Sequence, residues 1–241
     1  MERAIPLANV TGPAVILRSL VDLKLASILC SLYPVLPTLS GELLEIDCGN
    51  QPYRFLFRNV TYRGFESTRA AVFAAPPADV TYYAGDTFPI ASESQDVVFH
   101  TEVLEHVERP GAFLAECARV LKPGGTILFT VPFSCRFHYV PHDYFRFTPS
   151  ALRMLLEQAG FTSVELVPQG TDVTTICHKI LALAYRWVRK DAPVLWRLVR
   201  FLVILLSLPL LAGVHVLGLL SLCGLGSPDD PLGYRVTALK F

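Results

Sequence analysis

From residue 43 onward, short β-type runs alternate with segments of a size suited to helical crossovers. Parallel strands need such crossovers, so the alternation predicts an α/β fold with a doubly wound, mostly parallel sheet. With 241 residues the chain can bury one full α/β domain but hardly two. The predicted strands are Leu43–Asp47, Tyr62–Glu66, Val80–Ala84, Asp96–His100, Thr126–Val131 and Ser163–Val167.

Two helices are indicated outside these strands. Pro149–Ala159 has Thr148 as its N-cap and Gly160 just beyond its end. Ala14–Tyr33 is typical of an amphipathic helix, ended by Pro34, and is interpreted as a cap on the domain. The residues before it lack the basic segment of a secretory signal.

Charge and cysteine content exclude several classes of protein. Lys plus Arg equals Asp plus Glu at 21 each, so nothing indicates a nucleic-acid binder. The six cysteines form no C-x-x-C pair, which argues against a zinc knuckle or a disulfide framework and fits a reducing cytosol. No pattern in the sequence calls for a metal.

Polar residues follow the predicted strands in an otherwise apolar chain. Ligands of such sheets bind beyond the carboxyl ends of the strands, so these residues are candidate cofactor ligands. Glu66 lies at the spacing from which a carboxylate reaches a ribose, and Asp86 follows the third strand, where it could bind an adenine amino group. The full set is Glu45, Asp47, Gly49, Glu66, Asp86, Thr87 and Thr101.

Each of these residues also has an ordinary structural interpretation. Gly49 alone is compatible with a plain turn, and Glu66 with a solvated carboxylate at a strand end. Asp86 before Thr87 is compatible with a turn cap. Their order along successive strand ends favours adenosine binding.

The charge of the loop after the first strand selects among adenosine cofactors. A pyrophosphate needs backbone N–H groups, whereas this loop carries Glu45 and Asp47 together with Pro52, which has no N–H. The sulfonium and ammonium of S-adenosylmethionine suit such a loop electrostatically. A nicotinamide-dependent oxidoreductase is disfavoured for the same reason.

The motifs resemble those of class I S-adenosylmethionine-dependent methyltransferases of the type 11 group, over about residues 40 to 167. The first motif resembles "LLEIDCGNQPY", and "GDTFPIASESQDVVFHTEVLEHVERP" resembles the third-strand acid and fourth strand. The following helix and fifth strand resemble "ECARVLKPGGTILFTVPF". "PLGYRVTALKF" is similar to the last, antiparallel strand of that sheet.

The resemblance implies a seven-stranded sheet and places Glu45 near the methionine moiety, Glu66 on the ribose and Asp86 on the adenine. Two positions depart from the family pattern, since Asp47 replaces the usual first glycine and Gln51 the third. Of the two, Asp47 matters more, because its charged side chain is expected to affect cofactor affinity or the backbone conformation.

The acceptor side is indicated by "HYVPHDYFRFTPSAL", which follows the fifth strand. His142 is a candidate general base with Asp143 orienting it, since an imidazole titrates near neutral pH. The alternative is a polar loop in which Tyr144 and Phe145 pack on the domain. His106 is interpreted as structural or close to the methyl donor rather than as a base.

The carboxy-terminal third departs from the family pattern. From Phe201 to Pro228 the chain has no charged side chain, and as one helix it would run roughly 40 Å, beyond the roughly 30 Å of a bilayer core. The last strand, Tyr234–Leu239, must rejoin the sheet, so an even number of membrane crossings or none is expected. Pro209 and Gly213 are expected to break the run.

These features predict a helical hairpin on the cytoplasmic face of a membrane, preceded by a basic cluster that attracts anionic headgroups. A helix pair buried in a dimer interface is the alternative, and the oligomeric state is not indicated. The predicted division is 1–40 as cap, 41–169 as methyltransferase core, 170–231 as membrane-associated insertion and 232–241 as last strand. The predicted function is S-adenosylmethionine-dependent O-methylation of a membrane-presented acceptor, such as a lipid-linked saccharide or a polyprenyl intermediate, and a catalytically silent membrane-bound scaffold is the alternative. The expected partner is this small-molecule or lipid-linked acceptor.

Overall fold

A computed structural model describes residues 12–67, 81–83, 87–189 and 193–241. Its strands are β1 Ser40–Ile46, β2 Asn59–Ser67, β3 Thr81–Tyr83, β4 Gln95–Thr101, β5 Leu121–Pro132, β6 Phe161–Gln169 and β7 Gly233–Lys240. Its helices are α1 Pro13–Ser19, α2 Leu23–Leu32, α3 Pro110–Val120, α4 Pro149–Gln158, α5 Asp172–Arg189 and α6 Val194–Ser221. Short 3-10 helices cover Leu36–Thr38, Arg54–Leu56 and Leu104–His106.

The strands form one seven-stranded sheet in the order β3-β2-β1-β4-β5-β7-β6. Strands β1 to β5 pair in parallel, and β7 is antiparallel to both β5 and β6. The predicted doubly wound, mostly parallel α/β fold is confirmed. The predicted strands coincide with these seven, apart from differences of a few residues at their ends.

Alternation of apolar side chains along the strands builds a core on each face of the sheet. Leu44 and Ile46 of β1 pack on the face that α3 and α4 cover, while Leu43 packs with residues of α2 on the other face. Thr148 caps α4 by accepting a hydrogen bond from the Ala151 N–H, as predicted. The sheet is therefore covered on both faces, and its carboxyl edge is left for ligands.

His100 of β4 is an unusual member of the core. Its ring is fully buried, stacks on Phe129 at 4.6 Å between centroids and meets Phe113 edge to face. Neither ring nitrogen has a hydrogen-bond partner among the described residues. Burial lowers the pKa of His100 to about 3, so the ring is neutral at physiological pH.

Two predictions about helices are corrected. The helix predicted over Ala14–Tyr33 is two helices, because the Asp22 carboxylate accepts a hydrogen bond from the Leu25 N–H and starts α2. The break predicted at Pro209 and Gly213 is wrong, since α6 continues through both residues. Proline removes one N–H from the helix, and the surrounding leucines favour helix strongly enough to keep the helix continuous.

Helices α5 and α6 form an antiparallel hairpin between β6 and β7. Its base is fixed by the Thr174 and Ser221 hydroxyls, 2.6 Å apart, and by the Asp172 N–H, which donates to the Ser227 carbonyl. The strand ends Pro132 and Gln169 both pair with Gly233, so the hairpin leaves and rejoins the sheet at its carboxyl edge. The assignment of residues 170–231 as a membrane-associated insertion stays a prediction, as do the other domain boundaries.

Candidate active site at the carboxyl edge of the sheet

The loop after β1 has the backbone of a glycine-rich loop with only one glycine. Asp47, Gly49 and Gln51 have φ values of 49°, 51° and 54°. These are the alternate positions at which the resembled family carries glycine, and positive φ explains that preference. The loop therefore has positive φ values typical of glycine at three positions, although two of the three residues carry side chains.

Local hydrogen bonds support the two non-glycine residues of this loop. Asp47 Oδ1 accepts from the Ser67 N–H at 2.7 Å, and Gln51 Oε1 accepts from Arg54 at 2.7 Å. Asp47 is thus directed towards the end of β2.

Glu66, at the end of β2, connects that strand to the loop. Its Oε2 accepts a hydrogen bond from the Gly49 N–H at 2.8 Å, and its side chain is almost fully buried. Burial and, to a smaller extent, the nearby Asp47 carboxylate raise the pKa of Glu66 to about 7. The carboxylate lies at the edge of the sheet, where the predicted ribose contact requires it.

Glu45 has a different environment from the one expected of a cofactor ligand. It points from β1 towards the α2 side of the sheet and accepts a hydrogen bond from the Tyr62 hydroxyl. Burial raises the pKa of Glu45 to about 8. In this conformation Glu45 is held by Tyr62, and its role beside the methionine moiety stays a prediction.

The remaining predicted cofactor ligands are only partly described. Asp86 lies outside the described residues, and Thr87, which follows it, is exposed. Thr101 ends β4, half-buried, opposite Thr130 of β5. The next residue, Glu102, forms a 3.1 Å salt bridge with Lys24, so α2 contributes a charge to this edge.

The acceptor loop after β5 corrects the predicted pairing of His142 with Asp143. Asp143 instead accepts from the His138 N–H at 2.9 Å and binds the Arg146 guanidinium at 2.7 and 2.9 Å. His142 Nδ1 lies 3.0 Å from the Tyr144 hydroxyl, which donates to Glu108. The role of His142 as a general base stays a prediction. Asp143 does not orient His142 and instead holds the backbone of His138.

Tyr139 connects the acceptor loop with the loop after β1. Tyr139 packs against His106 with ring centroids 4.8 Å apart, and its φ is 58°. Burial raises the pKa of Tyr139, and the Asp47 and Glu66 carboxylates add to the shift, so the phenol lies within electrostatic reach of both. The sequence motif included Tyr139 but carried no signal for this position.

Comparison with known proteins finds methyltransferases among the similar sequences. A sequence profile described as "Methyltransferase domain" matches residues 53–129. The chain is 32% identical over 132 residues to the "Probable S-adenosylmethionine-dependent methyltransferase" of Mycolicibacterium smegmatis, covering 50% of this chain and 51% of that protein. It is 35% identical over 104 residues to the ubiquinone biosynthesis O-methyltransferase of Dinoroseobacter shibae, covering 36% and 42%.

Solved structures share the fold. An S-adenosylmethionine-dependent methyltransferase from Archaeoglobus fulgidus has a TM-score of 0.53 at 15% identity, covering 93% of this chain and 99% of that one. The cyclase SpnF has a TM-score of 0.53 at 19% identity, covering 90% and 81%. Because identity is low and one neighbour is a cyclase, these likenesses show the fold alone.

The fold of the chain is that of the class I methyltransferases. The chain is similar to S-adenosylmethionine-dependent methyltransferases over about half of its length, and this likeness supports S-adenosylmethionine as the cofactor, as predicted. The chain spans about half the length, or less, of the curated relatives it matches.

The first testable prediction concerns Asp47. Replacing it by glycine relieves a left-handed conformation and removes a charge near the cofactor, at the cost of the Ser67 hydrogen bond, and each effect is about 1 kcal/mol. We expect cofactor affinity, measured by calorimetry, to stay unchanged or rise by up to about fivefold. Asp47→Asn is the matched variant, because it keeps an acceptor for Ser67 without the charge. Loss of binding in Asp47→Asn would instead identify the carboxylate as a cofactor ligand.

Proposed function

We propose that the protein transfers the methyl group of S-adenosylmethionine to a hydroxyl oxygen of an acceptor presented at a membrane, such as a lipid-linked saccharide or a polyprenyl intermediate. In this reaction the acceptor oxygen forms a bond to the methyl carbon as the carbon–sulfur bond breaks. The hydroxyl proton passes to a base, for which His142 is a candidate, and S-adenosylhomocysteine leaves. Positioning of the two reactants supplies most of the acceleration.

The observation that carries this proposal is the origin of the hairpin at the same edge of the sheet as the cofactor loop. Helix α6 is long and apolar enough over Leu195–Ser221 to cross a membrane by length and composition, and little of it is buried. A hairpin embedded in lipid would therefore bring the carboxyl edge close to the bilayer surface. Some relatives are named ubiquinone biosynthesis O-methyltransferases, which supports an apolar acceptor.

The hairpin is better suited to lying on a membrane than to crossing it. Strand β7 returns to the sheet after α6, so α6 can cross only if α5 crosses with it. Helix α5 carries Lys179 and Arg186 and would run only about 27 Å. Exposed apolar residues and the basic residues Arg197 and Arg200 are instead suited to the interfacial layer of anionic lipid.

Methyl transfer is tested with methyl-labelled S-adenosylmethionine. The purified full chain, incubated with membranes of the cells that produce it, should transfer the labelled methyl group to lipids that organic solvent extracts. Heat-inactivated protein should not. Cofactor binding without any labelled lipid would overturn the membrane acceptor. Absence of cofactor binding would support the catalytically silent scaffold.

The second testable prediction concerns the membrane surface. Leu206 of α6 is 82% exposed, and Leu206→Glu removes an apolar contact of roughly 1.5–3 kcal/mol. We expect binding to phosphatidylcholine–phosphatidylglycerol vesicles, measured by sedimentation in high salt, to weaken about tenfold or more. Met154→Glu is the matched control, since Met154 is 51% exposed on α4, and it should bind like the unmodified chain. Equal vesicle binding by Leu206→Glu and Met154→Glu would contradict the placement of the hairpin in the membrane interface.

A further inference from the structure

We propose that Glu105, His106 and His138 bind a divalent cation of the zinc class beside the cofactor site. One oxygen or nitrogen atom from each of the three side chains lies within 4.8 Å of the other two. Glu105 and His106 belong to the 3-10 helix after β4, and His138 belongs to the loop after β5. The topology brings these two segments together at the carboxyl edge of the sheet.

The Glu105 carboxyl group is the first reason for the proposal. Its side chain is 0% exposed, and neither oxygen has a hydrogen-bond partner among the described residues. A buried polar group without a partner is costly, so the Glu105 carboxyl group is suited to binding a ligand. The backbone around it is fixed, because the Glu105 carbonyl accepts hydrogen bonds from the Tyr144 and Phe145 N–H groups.

The tautomers of the two imidazoles are the second reason. His106 Nδ1 lies 2.6 Å from the His142 carbonyl oxygen, and His138 Nδ1 lies 3.1 Å from the Arg136 carbonyl oxygen. A carbonyl only accepts, so the His106 proton lies on Nδ1. His138 Nδ1 also lies 3.5 Å from the Arg146 guanidinium, which only donates, but the carbonyl contact is shorter and favours the same tautomer, so that each Nε2 presents a lone pair. Histidines that bind metals commonly have this arrangement, with the distal N–H held by a carbonyl.

Both Nε2 atoms lie close to the same carboxyl oxygen. His106 Nε2 lies 3.6 Å and His138 Nε2 lies 3.8 Å from Glu105 Oε1. A shared proton requires about 2.7–3.2 Å between such atoms. Ligands about 2.1 Å from a tetrahedral zinc ion are about 3.4 Å apart, so a small side-chain rotation admits the cation. The distances therefore favour a cation over a bridging proton.

The ligand set indicates the kind of cation and leaves a position for a further ligand. Two imidazoles and one carboxylate suit Zn²⁺, Co²⁺ or Mn²⁺ better than Mg²⁺ or Ca²⁺, which prefer oxygen ligands. Three protein ligands leave the fourth position open, as in catalytic sites. If the proposed function is correct, an acceptor hydroxyl bound there would lose its proton more readily before it attacks the methyl carbon.

The test uses the full chain, freed of metal by a chelator and titrated with Zn²⁺ by calorimetry and with Co²⁺ by visible absorption. We expect one equivalent to bind, and His138→Ala and Glu105→Gln each to weaken binding at least tenfold. His178→Ala removes an imidazole from α5, outside the cluster, and should bind like the unmodified chain.

Thermal unfolding checks that each variant is folded, and His138→Ala alone decides the matter if Glu105→Gln does not fold. Absence of stoichiometric binding, or equal binding by His138→Ala and the unmodified chain, would overturn the cation site. Failure of methyl transfer with intact cation binding would overturn the proposed function and leave the site in place.

Discussion

Replacing Glu66 by alanine is expected to weaken S-adenosylmethionine binding by about 1.5–3 kcal/mol, or roughly tenfold to 150-fold in Kd. Among the described residues its contacts use Oε2, towards the Gly49 N–H and the Cys48 thiol, which leaves Oε1 for a ribose hydroxyl. Glu66→Ala removes both the carboxylate that would bind the ribose and the acceptor of the Gly49 N–H, which holds the loop after β1.

Two further variants separate these effects in the same calorimetric measurement. Glu66→Gln keeps an acceptor for Gly49 and should lose less affinity than Glu66→Ala. Glu93→Ala removes an exposed carboxylate that pairs with Lys240, away from the cofactor loop, and should leave Kd unchanged. An unchanged Kd in Glu66→Ala would contradict the assignment of the ribose site.

The raised pKa of Glu66 adds a pH dependence to the same measurement. Because the pKa is about 7, the carboxyl group of the free protein is half protonated near neutral pH. Only the carboxylate accepts hydrogen bonds from two donors, so affinity should fall as the pH drops below 7, by up to about tenfold per unit. Glu66→Gln should abolish that slope.

Replacing His100 by leucine is expected to stabilise the protein most strongly in mild acid. The pKa of His100 is about 3 in the folded chain and about 6.5 when unfolded, so protonation favours the unfolded state. The neutral form of His100 allows full stability above pH 6.5. As the pH falls from 6.5 towards 3, the unfolded chain binds this proton and the folded chain does not, so the free energy of unfolding falls by on the order of 3–5 kcal/mol in total.

Leucine has no titrating group and no unpaired ring nitrogen. At neutral pH we expect His100→Leu to gain about 1–3 kcal/mol, because two buried nitrogens without partners are removed. Urea unfolding followed from pH 7.5 to 4.5 measures both effects. His142→Leu, in the acceptor loop, is the control and should keep the slope of the unmodified chain. If the free energy of unfolding changed with pH equally in His100→Leu and in the unmodified chain, the lowered pKa of His100 would be contradicted.

Local sequence signals predicted the sheet because strand alternation and helix caps are short-range features. Thr148 and Gly160 bracket α4 as expected, and the carboxyl ends of β1, β2 and β4 carry the polar residues that were singled out. The interruption between α1 and α2 was missed because an Asp22 cap in the middle of an apolar pattern resembles a polar position of one helix.

The partners of side chains could not be predicted, because they depend on tertiary contacts between distant segments. Adjacent His142 and Asp143 were paired by proximity in sequence, whereas the loop turns Asp143 towards His138 and Arg146. The grouping of Glu105 with His138 joins segments that follow different strands, and no spacing in the sequence predicts it. Metal ligands on one helix would have left a visible spacing.

The position of β7 has a consequence for biosynthesis. This strand lies between β5 and β6 and follows the α5–α6 hairpin in the chain, so the hairpin leaves the ribosome before the sheet can be completed. During that interval one edge of β5 is unpaired, β6 has no partner strand and a long apolar helix is attached to the same chain, a state prone to aggregation. Capture of the hairpin by lipid or by a chaperone would shield it until β7 pairs with β5 and β6, and the order of elements would then couple delivery of the protein to completion of its fold.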